Sequence, residues 1–387
     1  MVQVIEKSLE VHKPLKIVKT TDLREIKQAL ESILYIPNDI LKSSVVNELL
    51  SYLEKKFIDE DYKLQVFIAY KAEKIVGFVI CQIDPYYSSY SRKCGTFGWL
   101  HANNLEICTE LIKRCEVFIK EFKVRKIRGN INFPKNLGGI GIQSMGFNEP
   151  MLYGVAFSDP NSKIMEYLNS IGYQRESEYS CMYVAQKMWG KGKKIDKNIE
   201  FRYMTLSKLY DYVYEIRNLA ANSFHEILPD ASGRNRINEF IEAFQKIPKS
   251  FYTLNSHINF KEHSDILQFR ETWETHDLEK IEPFAPMAFD KLSGELVGIL
   301  LGLPDLFEAW AGNPITRCNV DTAMVKKGYF GKGIFSALNN IGQLTCNLYG
   351  VDYFEGTGIW SNNSRAVDTI FPHCEPIRKH IVLQKRV

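Results

Sequence analysis

A glycine-rich stretch in the C-terminal part of the chain has the residue types of an anion-binding loop. Its residues are Lys327, Gly328, Tyr329, Phe330, Gly331, Lys332 and Gly333. Glycines let the backbone approach a ligand without a clash at Cβ, and the free amides that begin a helix favour an anion. The stretch lies between a strand predicted over 319–325 and a helix predicted over 334–348, so we predict a pyrophosphate cradle. An ordinary turn is the alternative, because short glycine patterns are common in turns.

Two carboxylates beside this loop are candidates for proton transfer. Glu355 lies in a strand predicted over 351–357, whose other residues are mainly apolar. Burial near a cleft would raise its pKa toward neutrality, as a general base requires, whereas a solvent-facing strand residue is the alternative. Asp321 is the second candidate, since alternation along a strand places it on the same face as Asn319.

The length of 387 residues predicts two domains. A basic, glycine-containing stretch at 189–198 is interpreted as a linker between domains at 1–188 and 199–387, and a basic phosphate-binding patch is the alternative. The same order is predicted on both sides of it: strand, helix, helix, three strands, helix, strand, helix, strand. A hairpin-rich sheet flanked by helices is an α/β (α+β) architecture, and its repetition predicts a duplicated domain.

Hydrophobic periodicity gives the predicted positions of these elements. In the first half, strands are predicted over 15–18, 65–70, 75–83, 95–101, 124–131 and 177–185, and helices over 21–34, 44–53, 104–122 and 162–171. In the second half, strands are predicted over 199–204, 287–290, 296–301, 319–325, 351–357 and 377–384, and helices over 206–224, 234–247, 334–348 and 362–371. The polar segment 256–277 is interpreted as a mobile insertion.

Composition argues against several classes of protein. The formal net charge of +3 gives no electrostatic reason to expect a nucleic-acid partner. Eight scattered cysteines form no CxxC pair, so we expect no metal site. No apolar run reaches about 18–20 residues, and the first residues lack a signal-peptide pattern. We therefore expect a cytoplasmic protein without membrane contact, either a monomer or a homodimer.

The element order and the glycine loop resemble the GNAT superfamily of acyl-CoA N-acyltransferases. That family has a strand, a loop of type Q/R-x-x-G-x-G/A and a helix; here Gly331 and Gly333 match, whereas Gly328 replaces Gln or Arg. A second, weaker match to the family's Asn-x-x-Ala pattern is Asn363 with Ala366. The positions where many members carry a thiolate-protonating tyrosine are Ile370 and Phe371 in this chain.

The resemblance implies a site for acetyl-CoA or another acyl-CoA. Its implied residues are Met324, Val325, Lys327, Gly328, Tyr329, Phe330, Gly331, Lys332, Gly333, Ile334 and Asn363. In the family a backbone amide of the strand before the loop polarises the thioester carbonyl, a role that falls to Met324 or Val325. The implied activity is transfer of an acetyl or small acyl group to the amine of a small molecule held between the two halves, by direct attack in a ternary complex with Glu355 or Asp321 as base.

The N-terminal half resembles the same fold without the loop. Its predicted strand passes through Asn103 and Asn104 directly into a helix, and the glycines at 138–141 come only after the following strand. A degenerate N-terminal module beside an active C-terminal one is similar to tandem GNAT enzymes. Two alternatives stay open: a protein that binds or senses acyl-CoA without turnover, and a transferase whose donor is a carrier protein or an aminoacyl-tRNA.

Overall fold

Two similar runs of elements are present in the computed structural model, which describes residues 14–184, 196–223, 228–231, 235–252, 281–363 and 374–387. The first run contains β1 (Lys16–Thr20), α1 (Leu23–Ile33), α2 (Asp39–Ile58), β2 (Lys63–Lys71), β3 (Lys74–Ile83), β4 (Ser88–Ser89), β5 (Arg92–Lys93), β6 (Gly95–Ala102), α3 (Leu105–Glu121), β7 (Lys126–Gly129), α4 (Lys135–Gly138), β8 (Ile142–Met145), α5 (Ile164–Ser170) and β9 (Gln174–Tyr183). The second run contains β10 (Ile199–Arg202), α6 (Leu206–Asp211), α7 (Val213–Ser223), α8 (Asn235–Gln245), β11 (Met287–Asp290), β12 (Leu296–Pro304), α9 (Leu306–Trp310), β13 (Arg317–Val325), α10 (Ile334–Leu348), β14 (Tyr353–Trp360) and β15 (Pro376–Arg386).

Apart from β4 and β5, which pair only with each other, the described strands of both runs form one continuous sheet. Its order is β1-β2-β3-β6-β7-β15-β9-β14-β13-β12-β11-β10, with β8 paired to β15. Neighbouring strands are antiparallel except for two parallel pairs, β6 with β7 and β13 with β14. Each parallel pair belongs to one run, so the two runs have the same local topology.

The last strands of the two runs are exchanged. β15, at the end of the second run, lies between β7 and β9 of the first run, where Leu383 is opposite Gly129 and Val382 is opposite Ser177. β9 in turn pairs with β14 of the second run, where Glu355 is opposite Tyr183. Strand pairing therefore crosses the predicted linker in both directions.

Helices cover both faces of this sheet, and one apolar core is common to the two runs. On one face, Leu49 of α2 belongs to the same buried cluster as Phe240 and Phe244 of α8. On the other face, α3 and α10 each cover their own run, with Leu111 and Leu338 among the buried residues. The shared core places α8 of the second run against elements of the first run.

The fold class predicted from sequence is confirmed. The predicted order of strands and helices recurs in the described residues of both runs, with short additional elements, whereas the last predicted helix of the second run lies largely outside those residues. The predicted helix at 44–53 is longer as α2, because the Asn38 side chain caps it by accepting a hydrogen bond from the Leu41 amide at 3.0 Å. The predicted helix at 206–224 is divided near Tyr212 into α6 and α7. No helix in the described ranges is long and apolar enough to cross a bilayer.

Three predicted segments lie wholly or largely outside the described residues. They are the helix at 362–371, the insertion at 256–277 and the linker at 189–198, of which only 196–198 is described. The division into 1–188 and 199–387 stays a prediction, and the strand exchange is an additional feature that the sequence did not indicate.

Candidate functional site

The two parallel strands of the second run separate midway along their length. β13 and β14 pair from Arg317 with Tyr353 as far as Val320 with Gly356, and their pairing ends there. At the same point the register between β12 and β13 shifts, so that Asp321 is an extra residue in β13. A bulge of this kind bends its strand and increases its twist. The rest of β13 therefore leaves β14, and a cleft opens between the two strand ends.

The loop between β13 and α10 has the backbone of an anion cradle. Gly328, Gly331 and Gly333 have φ values of 93°, 79° and 78°, in the left-handed region that glycine adopts without strain. Within the described part of the chain, the amides of Gly331, Lys332 and Gly333 donate no hydrogen bond. A Cβ on Gly331 would meet no atom within 4 Å, so the space before the helix is open. Free amides at the start of a helix that begins at Ile334 can bind phosphate oxygens.

The basic and aromatic side chains of this loop have different partners. Lys332 Nζ lies 3.2 Å from Asp196 Oδ2 and 4.8 Å from the centroid of the Tyr329 ring. The Tyr329 hydroxyl donates a hydrogen bond to Asp290 at 3.1 Å. Lys327 is exposed and makes no ion pair with a described residue. The charge at Lys327 is therefore the more available of the two for a bound phosphate.

Strand geometry distinguishes the two amides predicted to polarise a carbonyl. The Lys326 amide donates to Val297 O of β12 at 2.8 Å. Because successive amides of a strand point in opposite directions, the Val325 amide points away from β12 and the Met324 amide points toward it. Only the Val325 amide faces the cleft between β13 and β14.

Asp321 lies at the apex of this cleft in a cluster of charged side chains. Its carboxylate accepts a hydrogen bond from Arg236 Nη2 of α8 at 2.5 Å, and Arg236 Nη1 donates to Glu239 at 2.9 Å and to Asn136 of α4. Burial favours the neutral form of the Asp321 carboxyl, but the charges of Arg236 and Lys135 outweigh it and hold its pKa below the usual value. The cluster joins the cleft of the second run to α4 of the first.

Glu355 has a different environment from the one that the sequence suggested for a base. It is fully buried, so the solvent-facing alternative is wrong. Its carboxylate accepts hydrogen bonds from Arg378 Nε at 2.8 Å, from Arg378 Nη2 at 3.1 Å and from the Tyr353 hydroxyl at 3.0 Å. It lies opposite Asn319, where β13 and β14 are still paired. These contacts favour a structural role, and a role in catalysis stays a prediction.

Asn363 lies at the edge of the described region beyond β14. Its amide donates to Trp360 O at 2.8 Å, which forms a turn at the end of the strand. The residues that follow, 364–373, include most of the helix predicted at 362–371 and positions 370 and 371, and they lie outside the described residues. The predicted contact of Asn363 with a cofactor therefore stays a prediction.

The first run has the same strand and helix contact without the cradle. A Cβ on Gly77 of β3 would lie 2.6 Å from Ile107 of α3, and one on Gly298 of β12 would lie 2.8 Å from Ile334 of α10. Nine positions separate Val325 from Ile334, whereas five separate the equivalent residues Ala102 and Ile107. The connection in the first run is therefore four residues shorter.

The start of α3 is also closed by a side chain. Asn104 Oδ1 accepts a hydrogen bond from the Ile107 amide at 3.0 Å, so one of the first free amides of this helix is already satisfied. A cavity of about 610 Å³ nevertheless remains beside β6, lined by Trp99, His101 and Asn130 among others. Burial lowers the pKa of His101 to about 4, so this cavity has an uncharged imidazole at neutral pH.

Sequence reasoning did not identify Arg236, Glu239 or Lys135 as parts of the site. Arg236 and Glu239 are three residues apart, a spacing that allows an ion pair on one helix face. No sequence signal, however, links them to Asp321 or to Lys135, which are distant along the chain. Only the shared core that places α8 beside α4 and β13 brings these residues together.

The fold of this chain is similar to that of several solved structures. No protein-family model and no curated protein sequence matches the chain. A tandem GNAT protein from the clavulanic acid biosynthesis pathway, solved without AcCoA, gives a TM-score of 0.52 at 10% identity over 96% of this chain and 98% of that chain. A fungal GCN5-related glucosamine N-acetyltransferase region within a multi-domain GH3 β-N-acetylglucosaminidase gives 0.55 at 12% identity, over 96% of this chain and 38% of that chain. A protein from Enterococcus faecalis V583 described as a probable N-acyltransferase gives 0.52 at 8% identity, over 96% and 72%. At such low identity the likeness is one of fold.

Proposed function

We propose that this chain, which has the tandem fold of the GCN5-related N-acetyltransferases, transfers an acyl group from acyl-CoA to an amine of a small molecule. The observation that carries the proposal is the free amides at the start of α10 beside a cleft between β13 and β14. The amides of Gly331, Lys332 and Gly333 would hold the pyrophosphate, with Lys327 adding a charge. The open end of the cleft would admit the thioester arm.

The chemistry needs a polarised carbonyl and an acceptor for one proton. The Val325 amide faces the cleft and would donate a hydrogen bond to the thioester oxygen, where negative charge develops during attack. The acceptor nitrogen forms a bond to the carbonyl carbon while the carbon–sulfur bond breaks, and its proton ends on the thiol of CoA. Asp321, kept ionised by Arg236, would orient the acceptor amine and take up the proton on the way.

Titration calorimetry with acetyl-CoA tests the proposed cradle. We expect one binding event per chain and its loss in Gly331→Glu, because a carboxylate placed before the helix start repels the pyrophosphate. Gly312→Glu is a matched control: Gly312 has a φ of 80°, close to the 79° of Gly331, and neither Cβ position has an atom within 4 Å. Both variants therefore carry the same backbone strain, and only one changes the proposed site.

Turnover is measured separately, as release of free thiol from acetyl-CoA with a panel of small amines. Binding without thiol release for any amine would favour an acyl-CoA sensor over a transferase. Equal acetyl-CoA affinity in the wild type and Gly331→Glu would contradict the proposed cradle.

A further inference from the structure

The first run has its own cleft, at the place that corresponds to the cleft between β13 and β14 in the second run. The parallel strands β6 and β7 pair as far as Thr96 with Arg128, and their pairing ends there. The cavity of about 610 Å³ beside β6 lies beyond that point. Sites for small molecules usually have volumes of about 300–1,000 Å³, so this cavity is large enough for a ligand.

One wall of this cavity is held in a strained conformation. Trp99, which lines the cavity, has a φ of 53°, in the left-handed region that a bulky residue adopts only at a cost. The Asn132 side chain accepts a hydrogen bond from the Trp99 amide at 2.6 Å, and the Trp99 indole donates to Phe133 O at 2.8 Å. Strained residues that their surroundings hold in place are concentrated at ligand sites. These contacts therefore fix the wall in advance of any ligand.

The two sides of the cavity present complementary polar groups. On the side of β6, the Asn103 amide donates to Val76 O at 3.1 Å, so the preceding Ala102 amide points away from β3 and toward the cavity. On the side of β7, the buried Oδ1 atom of Asn130 has no hydrogen-bond partner among the described residues. A buried acceptor without a partner is costly, and an N–H group of a ligand would remove that cost.

The charges around the cavity do not favour a charged ligand. His101 is uncharged at neutral pH, because burial and the positive charge of Lys42 lower its pKa to about 4. Among the described residues that line the cavity, Asp159 and Lys163 are charged, one of each sign, and Lys163 is exposed. The start of α3 is capped by Asn104. An ion would therefore lose its hydration on entry without meeting a fully buried partner of opposite charge.

We propose that this cavity binds an uncharged small molecule that has a carboxamide group and an apolar part. The carboxamide oxygen accepts a hydrogen bond from the Ala102 amide, its N–H donates to Asn130 Oδ1, and the apolar part lies against Trp99 and Phe157. A carboxamide supplies both the acceptor and the donor that the two sides require, and it carries no charge. The inference concerns the first run alone and does not depend on acyl-CoA binding in the second.

Ligand-observed NMR titrations of the whole chain with benzamide and with benzoate test this proposal. The two probes have nearly the same shape and differ in charge. We expect benzamide to bind about tenfold or more tightly than benzoate, because a carboxylate buried without a partner is strongly disfavoured. Saturating acetyl-CoA should leave the affinity for benzamide unchanged, since the first run lacks a pyrophosphate cradle.

Variants and a spectroscopic signal locate the bound probe. Asn130→Leu removes the acceptor at a similar side-chain volume and should weaken benzamide binding about tenfold. Asn169→Leu, at an exposed position of α5 outside the cavity lining, is the matched control and should bind benzamide as the wild type does. In the wild type, benzamide should shift the imidazole signal of His101, which is identified by its absence from the spectrum of His101→Phe. This last readout does not require that the Asn130 variant folds.

Three outcomes would overturn the inference. They are equal affinities for benzamide and benzoate, benzamide binding without a shift of the His101 signal, and displacement of benzamide by acetyl-CoA in Gly331→Glu. The last result would make the cavity a second donor site. The fate of the proposed function is separate: if benzamide binds as expected while the folded chain does not bind acetyl-CoA, only the proposed function falls.

Discussion

At the scale of single residues, the apex of the cleft in the second run contains one arginine bound to two largely buried carboxylates. Arg236 lies between Asp321 and Glu239, at 2.5 Å and 2.9 Å. A buried ion pair holds its members ionised, but leaving one member alone is costly. Asp321 is thus a carboxylate that stays charged at neutral pH, as the binding of an acceptor amine requires.

A second buried carboxyl, away from this cleft, makes the stability of the fold depend on pH. Burial raises the pKa of Glu282 to about 7. Hydrogen bonds from the Phe284 amide and the Tyr252 hydroxyl, both at 3.2 Å, act in the opposite direction but are weaker. The native state therefore binds this proton more tightly than the unfolded chain. The resulting stability is fully present below about pH 4.5 and is lost as the pH rises through 7.

We expect Glu282→Gln to be more stable relative to the wild type at pH 8 than at pH 5. Between pH 5 and pH 8, the free energy of unfolding of the variant should rise by about 3 kcal/mol relative to that of the wild type, because a neutral amide does not have to ionise in the core. Urea unfolding of both proteins at the two pH values measures it. An equal difference at pH 5 and pH 8 would show that Glu282 titrates normally.

At the scale of elements, the two runs differ in how a strand passes into a helix. In the second run eight residues connect β13 to α10, and three of their amides donate no hydrogen bond to a described residue. In the first run only two residues connect β6 to α3, and Asn104 caps the helix. Both helices are positioned by close packing on a strand glycine, Gly298 and Gly77. The same packing of a helix on a strand glycine is therefore preceded by the candidate cradle at α10 and by a side-chain cap at α3.

Replacement of these glycines by alanine tests the role of that packing. A Cβ at Gly298 would lie 2.8 Å from the Ile334 side chain, and one at Gly77 would lie 2.6 Å from the Ile107 side chain, so each forces the packed side chain or its helix to shift. We expect each alanine to lower the free energy of unfolding by about 1–3 kcal/mol, the usual cost of overpacking. Only Gly298→Ala should also weaken acetyl-CoA binding, because it moves the helix that begins the cradle.

Thermal unfolding and calorimetry on the two alanine variants provide the measurement. Loss of acetyl-CoA affinity in Gly77→Ala as well would mean that binding depends on overall stability and not on the position of α10. Unchanged affinity in Gly298→Ala would mean that the start of α10 tolerates displacement.

At the scale of the whole molecule, the two runs depend on one another for their sheets and for buried charges. β15 fills the place between β7 and β9, and β9 provides the antiparallel neighbour of β14. Asp230, in the segment that precedes α8, accepts hydrogen bonds from Arg128 at 2.8 Å and 3.0 Å, from Ser177 at 3.0 Å, from Tyr179 at 2.5 Å and from Tyr87. These donors all belong to the first run. The Asp230 carboxylate of the second run therefore neutralises the fully buried Arg128 of the first run.

We therefore expect the segments 1–188 and 199–387 to be unstable when each is produced alone. The first would lack the strand between β7 and β9, and the second would leave β15 without a partner and the edge of β14 open. Co-production of both segments should restore a folded complex with the acetyl-CoA affinity of the intact chain. Circular dichroism and calorimetry measure folding and binding, and a folded 199–387 segment that binds acetyl-CoA alone would contradict the expectation.

The sequence by itself determined the elements, their repetition and the place of the candidate cradle. Hydrophobic periodicity and turn residues are local properties, so strands, helices and the loop at 327–333 follow from nearby positions. The absence of a comparable loop in the first run follows in the same way from Asn103 and Asn104. The three glycines of this loop, Gly328, Gly331 and Gly333, adopt the left-handed backbone that such a loop requires.

Only the tertiary structure decided which residues surround the cleft and which strands form each half of the sheet. The exchange of β9 and β15 depends on the relative stability of alternative strand pairings, which an alternating pattern does not distinguish. The bulge that sets Asp321 at the apex, and the pairing of Arg378 with Glu355, arise from contacts between residues distant in sequence. Asn136, Arg236 and Asp321 form one hydrogen-bonded group because two separate helices pack on one shared core, and such long-range packing is not a property of any local segment.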